Sequence, residues 1–232
     1  MPNRLVEFGP HPSPIPIGFW RSVDNSYNAF VLESFIDEIA HSANLDPYLY
    51  RRSVLINNPR FLDVLDAAVN LGGWSSTLPS GHARGIAIAE AFGTVVAEVV
   101  EISNATTTSM GVLKVACAID CGRVINPDSV EAQMQGGIVH GLSATLWGNI
   151  TFTNGTASVR NFNNYRLIRM SDMPEVSITI LPSTNPPTGA GEPGVPPIAP
   201  AVANAYFHLT GVRIRSLPFF AAESRMGDWP RE

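Results

Sequence analysis

Apolar residues recur at helical spacing from Ala29 to Ala43. Phe30, Leu32, Phe35, Ile36, Ile39 and Ala40 make one face, and Glu33, Asp37 and Glu38 the other. The spacing predicts a helix with its acids in solvent. Asp46-Pro47 then reads as an N-cap followed by proline at the first helical position, opening a second helix to about Ile56. Asn58-Pro59 repeats that signature for a third helix to about Asn70, closed by Gly72-Gly73. Beyond it the period changes. Residues 84–101 are rich in Ala, Val and Ile with partial alternation, and predict two strands broken at Phe92-Gly93-Thr94. Gly111–Asp120 predicts a third strand. Ser129–Leu146 predicts a helix with Val130, Met134, Ile138 and Leu142 on one side. Asn154-Gly155 marks a tight hairpin. Val176–Leu181 alternates as a strand, Pro197–Thr210 is helical up to Gly211, and Arg213–Leu217 predicts a last short strand.

Strands and helices in this order define an α+β class: mixed sheets with flanking helices. The expected organisation is an extended arm over residues 1–17, five of them proline, followed by one domain over 18–232. That domain divides into a helical cluster at 28–72 and a mixed part at 82–220. At 232 residues the chain is long enough to bury roughly 70% of its unfolded surface. A net charge of −5 without a basic run argues against nucleic acid as a partner. No apolar run approaches the ~20 residues of a membrane span, and no signal-peptide pattern opens the sequence.

The candidate chemistry lies in Thr188-Gly189-Ala190-Gly191-Glu192-Pro193-Gly194-Val195-Pro196-Pro197. Pro193 biases Glu192 toward an extended conformation. Gly191 and Gly194 strip side-chain bulk from both sides of the acid, so that another group can approach. The helix that follows points its N-terminal amides back toward this segment, which favours negative charge there. A surface turn ahead of a helix is the alternative reading. Gly136-Gly137 sits inside a helical pattern at a cost of roughly 1 kcal/mol per glycine relative to Ala, and so marks a close approach. Cys117 and Cys121 read as buried thiols on a strand; no metal pair and no iron–sulfur spacing is expected. The histidines show no ligand spacing. His140 shares the Gln133 helix, and a core or surface position is the simpler account of it. Phe19 and Trp20 could stack on a flat substrate or simply pack. Glu90 and Glu98 fall on predicted strands without an assigned role.

Four segments together resemble the xanthine dehydrogenase/aldehyde oxidase family, in the C-terminal part of its molybdenum-pterin subunit, isoquinoline 1-oxidoreductase beta-subunit type. They are Gly18-Phe19-Trp20-Arg21-Ser22-Val23 with the following Asn28-Ala29-Phe30 and Glu33-Ser34-Phe35-Ile36-Asp37-Glu38; Ala118-Ile119-Asp120-Cys121-Gly122 with Asn126-Pro127; Gln133-Met134-Gln135-Gly136-Gly137 with Gly141-Leu142; and Gly191-Glu192-Pro193-Gly194 through Pro200-Ala201-Val202-Ala203-Asn204-Ala205. They keep the family's order over nearly the whole chain. Many relatives carry an Arg-Gly-Phe-Gly type loop where this chain has Arg21-Ser22-Val23-Asp24, so substrate contacts of the xanthine enzymes are not carried over.

The resemblance implies a fold like the second molybdenum-cofactor-binding domain of these enzymes. It implies Glu192 as general base beside the metal, with Gly191 in the same motif. Gln133 would hydrogen-bond the pterin, and Arg21 would be a guanidinium fork lining the cofactor. The activity implied is oxidation of an aldehyde or N-heteroaromatic carbon with water-derived oxygen. The cofactor is molybdopterin or its cytosine dinucleotide form, completed by upstream sequence or a molybdenum-binding partner, with iron–sulfur clusters in a partner subunit. The isolated chain is then expected to be inactive. A non-catalytic structural fragment or split subunit is the other reading, and a hydrolase using Glu192 as base a third, which lacks a second acid or a nucleophile.

Overall fold

The computed structural model describes residues 5, 7, 9, 12–106 and 109–220. Most of the arm, including His11, lies outside the described residues; its residues 12–17 are exposed and belong to no helix or strand. The elements run α1 (Asn25–Ser42), α2 (Pro47–Val54), α3 (Pro59–Leu71), β1 (His82–Ala91), β2 (Thr94–Ser103), β3 (Gly111–Asp120), α4 (Pro127–Trp147), β4 (Phe152–Thr153), β5 (Thr156–Ala157), β6 (Glu175–Ile180) and α5 (Ile198–Thr210). A short 3-10 turn at Met170–Asp172 precedes β6.

Local signals place most of these boundaries. Asp46 accepts the Leu49 N–H at 2.9 Å and caps α2. Asn126 accepts from Ser129 N at 3.2 Å and caps α4. Phe92 and Gly93 both have positive φ, which makes the β1–β2 connection a tight two-residue turn. The strand expected at Arg213–Leu217 is absent: that segment has no regular structure. Arg213 and Arg215 reach to Asp37 and Glu38 on α1 instead, at 2.7 Å each.

The sheet order is β1-β2-β3-β6, antiparallel except for the parallel β3–β6 pair. A parallel pair needs a crossover, and α4 lies within it. One face of the sheet packs on α3 through Val64, Leu65, Ala68 and Val69. The other packs on α4 and α5 through Met134, Ile138, Leu142, Ile198 and Val202. Covered on both faces, β2 is buried along its whole length.

Two acids lie where the sequence pattern does not put them. On α1, Glu33 and Asp37 are buried at 2% and 0% exposure, while Leu32 and Phe35 are more than half exposed. The expected solvated acidic face is therefore an inward face. Arg51 on α2 compensates it. The Arg51 Nε donates to Glu33 Oε2 at 2.8 Å and its Nη2 to the Glu33 carbonyl at 2.9 Å. Ile88 N on β1 adds a third donor to Glu33 at 3.0 Å. Asp37 takes Arg213 at 2.7 Å and His208 at 3.3 Å.

Glu98, in the middle of β2, has no such compensation. It is fully buried, and neither carboxylate oxygen has a hydrogen-bond partner among the described residues. Its neighbour across the ladder is Cys117. Burial alone raises its pKa well above the usual carboxylate value. The folded chain therefore holds Glu98 protonated where the unfolded chain has lost the proton. Its contribution is fully present below pH 4.5 and is lost as pH rises through the higher folded value. Glu98→Met, similar in length and without polar atoms, is expected to stabilise the chain by about 1–3 kcal/mol at neutral pH. The gain should grow between mildly acidic and neutral pH in denaturant titrations. A Glu98→Met chain less stable than wild type at pH 7 would count against an uncompensated acid.

Candidate active site

The loop after β6 is anchored across the ends of β3 and β2 before it reaches Glu192. Asp120, at the end of β3, accepts the Gly122 N–H at 2.8 Å and pairs with Arg60 of α3 at 2.7 Å. Gly122 has φ +74°, and a Cβ there would collide with the Pro186 carbonyl. The Asp-Cys-Gly triplet is thus a turn over which the loop passes. Thr188 N then donates to the Cys121 carbonyl at 2.9 Å. Thr94, opening β2, donates to Gly189 O at 2.7 Å.

From this anchor the chain runs onto α4. Gly194 lies against Met134, where an added Cβ would meet the Met134 carbonyl at 3.2 Å, and a Cβ added at Gly137 would meet the Gly194 backbone at 3.3 Å. Gly137 and Gly141 of α4 mark helix-on-loop contact, and this contact brings Gln133 beside Gly191. Val195 N closes a turn on the Glu192 carbonyl at 3.0 Å.

The third component is the turn from Trp20 to Val23. Ser22 N donates to Glu192 Oε2 at 2.6 Å. The Arg21 Nε donates to Gly191 O at 2.7 Å, its Nη2 donates to the same carbonyl, and Nη2 also donates to Gln133 Oε1 at 3.0 Å. The structure therefore brings Arg21, Gln133, Gly191 and Glu192 together from positions up to 171 residues apart. The amide that binds the Glu192 carboxylate comes from Ser22, across the site, rather than from the N-terminus of α5 as the sequence suggests. Sequence alone does not single out Ser22, because a backbone donor has no residue-type signature.

Glu192 is half-buried, while Gln133, Gly136 and Gly191 are exposed, so the site is an open wall. Trp20 packs on His140 with ring centroids 4.7 Å apart, and Phe19 is 94% exposed beside it. Burial and the Arg21 charge lower the His140 pKa, which keeps the ring neutral at neutral pH. Cys117 and Cys121 are buried free thiols. Among the described residues no cluster of His, Cys, Asp or Glu could hold a metal ion, and no helix is long and apolar enough to cross a membrane.

The donor set fits an edge of a pterin. Arg21 occupies the Gln133 carbonyl oxygen, and no hydrogen bond among the described residues engages its amide nitrogen. The exposed NH₂ can therefore donate to a ring acceptor. The neighbouring surface is glycine, Gly136 and Gly191, so a flat group can lie close to it.

Fold and sequence together define a molybdopterin cofactor-binding domain. Residues 74–174 match the family model described as a molybdopterin cofactor-binding domain. The chain is 32% identical over 91% of its length to isoquinoline 1-oxidoreductase subunit beta of Brevundimonas diminuta, of which it spans 28%. It is 33% identical over 90% of its length to a membrane-bound aldehyde dehydrogenase [pyrroloquinoline-quinone] of Gluconacetobacter polyoxogenes, of which it spans 30%. Among solved structures it superposes on the aldehyde oxidoreductase from Desulfovibrio desulfuricans with a TM-score of 0.68. That match has 12% identity and covers 91% of this chain and 41% of that one, so the two share a fold. The chain belongs to the molybdenum hydroxylases of the xanthine dehydrogenase/aldehyde oxidase family. It spans less than a third of the length of either curated relative.

Proposed function

We propose that the chain is the C-terminal catalytic portion of a molybdenum hydroxylase that oxidises an aldehyde or an N-heteroaromatic carbon with water-derived oxygen. The names of its relatives support these two substrate classes. The observation that carries the reading is the Glu192 carboxylate, half-buried and oriented by the Ser22 amide, on a loop seated against the Gln133 helix. Ser22 occupies Oε2, which leaves Oε1 to take a proton. A base fixed in this way loses little to reorientation when the proton moves. Gln133 would hold the pterin edge through its amide NH₂. When bound, the molybdenum-pterin group, as molybdopterin or its cytosine dinucleotide, would supply the activated oxygen and accept two electrons.

The open wall favours a chain that needs partners. Tyr27, Val31 and Phe35 follow one another at four-residue spacing on α1, all more than half exposed. Such a stripe fits a protein surface that another domain covers. The partners proposed are an upstream molybdenum-binding domain or subunit and an iron–sulfur subunit. If the chain supplies only one wall, the purified chain alone should hold well under one molybdenum per molecule, and the chain co-expressed with the rest of the subunit about one. Elemental and pterin analysis of both preparations checks this. Full occupancy in the isolated chain would overturn the half-site reading, and none in the co-expressed complex would overturn the cofactor assignment.

A further inference from the structure

The Arg21–Val23 turn is costly in a way that packing does not explain. Ser22 has φ +72° and Val23 φ +53°, two consecutive non-glycine residues in the left-handed region, one of them β-branched. A β-branched residue there is an outlier, and such conformations persist only when the surroundings over-determine them. Ser22 is fully buried, and its hydroxyl has no hydrogen-bond partner among the described residues. The side chain therefore gains no hydrogen bond from the conformation. What the turn does achieve is to aim the Ser22 N–H at Glu192 Oε2 and the Arg21 guanidinium at Gly191 O.

We propose that this turn is a two-point clamp that positions the Glu192 carboxylate, with Arg21 holding the backbone before the acid and the Ser22 amide holding its side chain. The proposal rests on the reading of Glu192 as base. Arg21 is then a positioning residue, with its Nε and Nη2 spent on protein groups rather than on a cofactor phosphate or pterin carbonyl. The guanidinium suits the task because it is planar and forked. It spans the Gly191 carbonyl and the Gln133 amide at once, and so couples the base to the helix that would carry the cofactor. An ammonium group cannot make that bridge with fixed geometry.

The test has a readout independent of turnover. In ¹⁵N–¹H spectra of the full chain, the Ser22 amide should resonate far downfield, as expected for a short bond to a carboxylate, and should move as that carboxylate is titrated. Glu192→Gln should shift it upfield and abolish that titration. This comparison separates Glu192 from the other charged or titratable groups nearby: Arg21 and Asp24 on the turn, and His140 on α4. Arg21→Ala should also move the Ser22 amide upfield. In the assembled, metal-loaded enzyme it should lower kcat by ~10²-fold at unchanged KM, with rates normalised to molybdenum content, the scale set by misplacing a reacting group by about 1 Å. Should Arg21→Ala not fold, Arg21→Lys keeps the charge without the bridge and should shift amide and kcat in the same direction.

A Ser22 amide indifferent to Glu192→Gln overturns the clamp. So does an Arg21→Ala or Arg21→Lys enzyme with wild-type kcat when Glu192→Gln is inactive; in that case the base reading survives. A Glu192→Gln enzyme with near wild-type rate overturns the base reading itself, whatever the amide does.

Discussion

Glu192→Gln, in the assembled and metal-loaded enzyme, is expected to keep fold and cofactor and to lose turnover by ~10²–10⁴-fold, the usual cost of removing a general base. The substitution is nearly isosteric. Its carbonyl oxygen can still accept the Ser22 N–H that Oε2 accepts at 2.6 Å, so the turn and the loop should stay in register. What it cannot do is take a proton at neutral pH. Gln133→Ala should fail differently. It removes the exposed amide that would hold the pterin and also one partner of Arg21, so molybdenum content should fall together with the rate. Rates per molybdenum therefore separate the two roles: low for Glu192→Gln, closer to wild type for Gln133→Ala. If Glu192→Gln retains more than about a tenth of the wild-type rate per molybdenum, Glu192 is not the base. The segment would then be a turn ahead of α5 and nothing more.

How far such a site is legible in sequence depends on whether its geometry is local. The caps at Asp46 and Asn126, the Phe92-Gly93 turn and the αL end of α5 at Gly211 are encoded within a few residues of where they act, and the expected elements match the structure there. The α1 face is not encoded in that way. Periodicity sees apolar residues on one side and acids on the other, and assigns the acids to water. The cations that make burial of Glu33 and Asp37 possible are Arg51, on the next helix, and Arg213, 176 residues away. Nothing within one turn of α1 announces them. The strand expected at Arg213–Leu217 fails for the same reason: its alternation is real, but its arginines are committed to α1. Glu192 stands out locally through the glycines and proline around it, whereas Arg21 and Gln133 stand out only through resemblance to a family, because each lies on a different element. The Ser22 amide could be found only in three dimensions.

The buried ion network makes the second large prediction. Arg51→Ala should destabilise the chain by about 3–5 kcal/mol, the range for stripping one partner from a buried ion pair. The arginine is 1% exposed and ties α2 to α1 through three groups: the Glu33 carboxylate, the Glu33 carbonyl and Asp37, the last at 3.8 Å. Its removal leaves the Glu33 carboxylate, inside the protein, with the Ile88 amide as its remaining donor among the described residues. Arg51→Met should cost less than Arg51→Ala, because it fills the space, but still more than a surface change, because the acid stays. Glu33→Gln combined with Arg51→Met should recover part of the loss, since the uncompensated charge is gone. Acid should act on the same network. Burial pushes the Asp37 pKa up, but His208, Arg51 and Arg213 together outweigh it and leave the carboxyl below its ordinary value of 3.8. Asp37 therefore contributes stability that is present above that value and is lost as pH falls through the lower folded one. In Arg51→Ala one of the three cations is missing, so the folded value lies closer to 3.8 and this loss should be smaller, and complete at a higher pH, than in wild type. Urea titrations at neutral pH and at pH values below 4 would measure both effects. An Arg51→Ala chain within about 1 kcal/mol of wild type at neutral pH would mean that water reaches Glu33 and Asp37, and that α1 presents its acids to solvent after all.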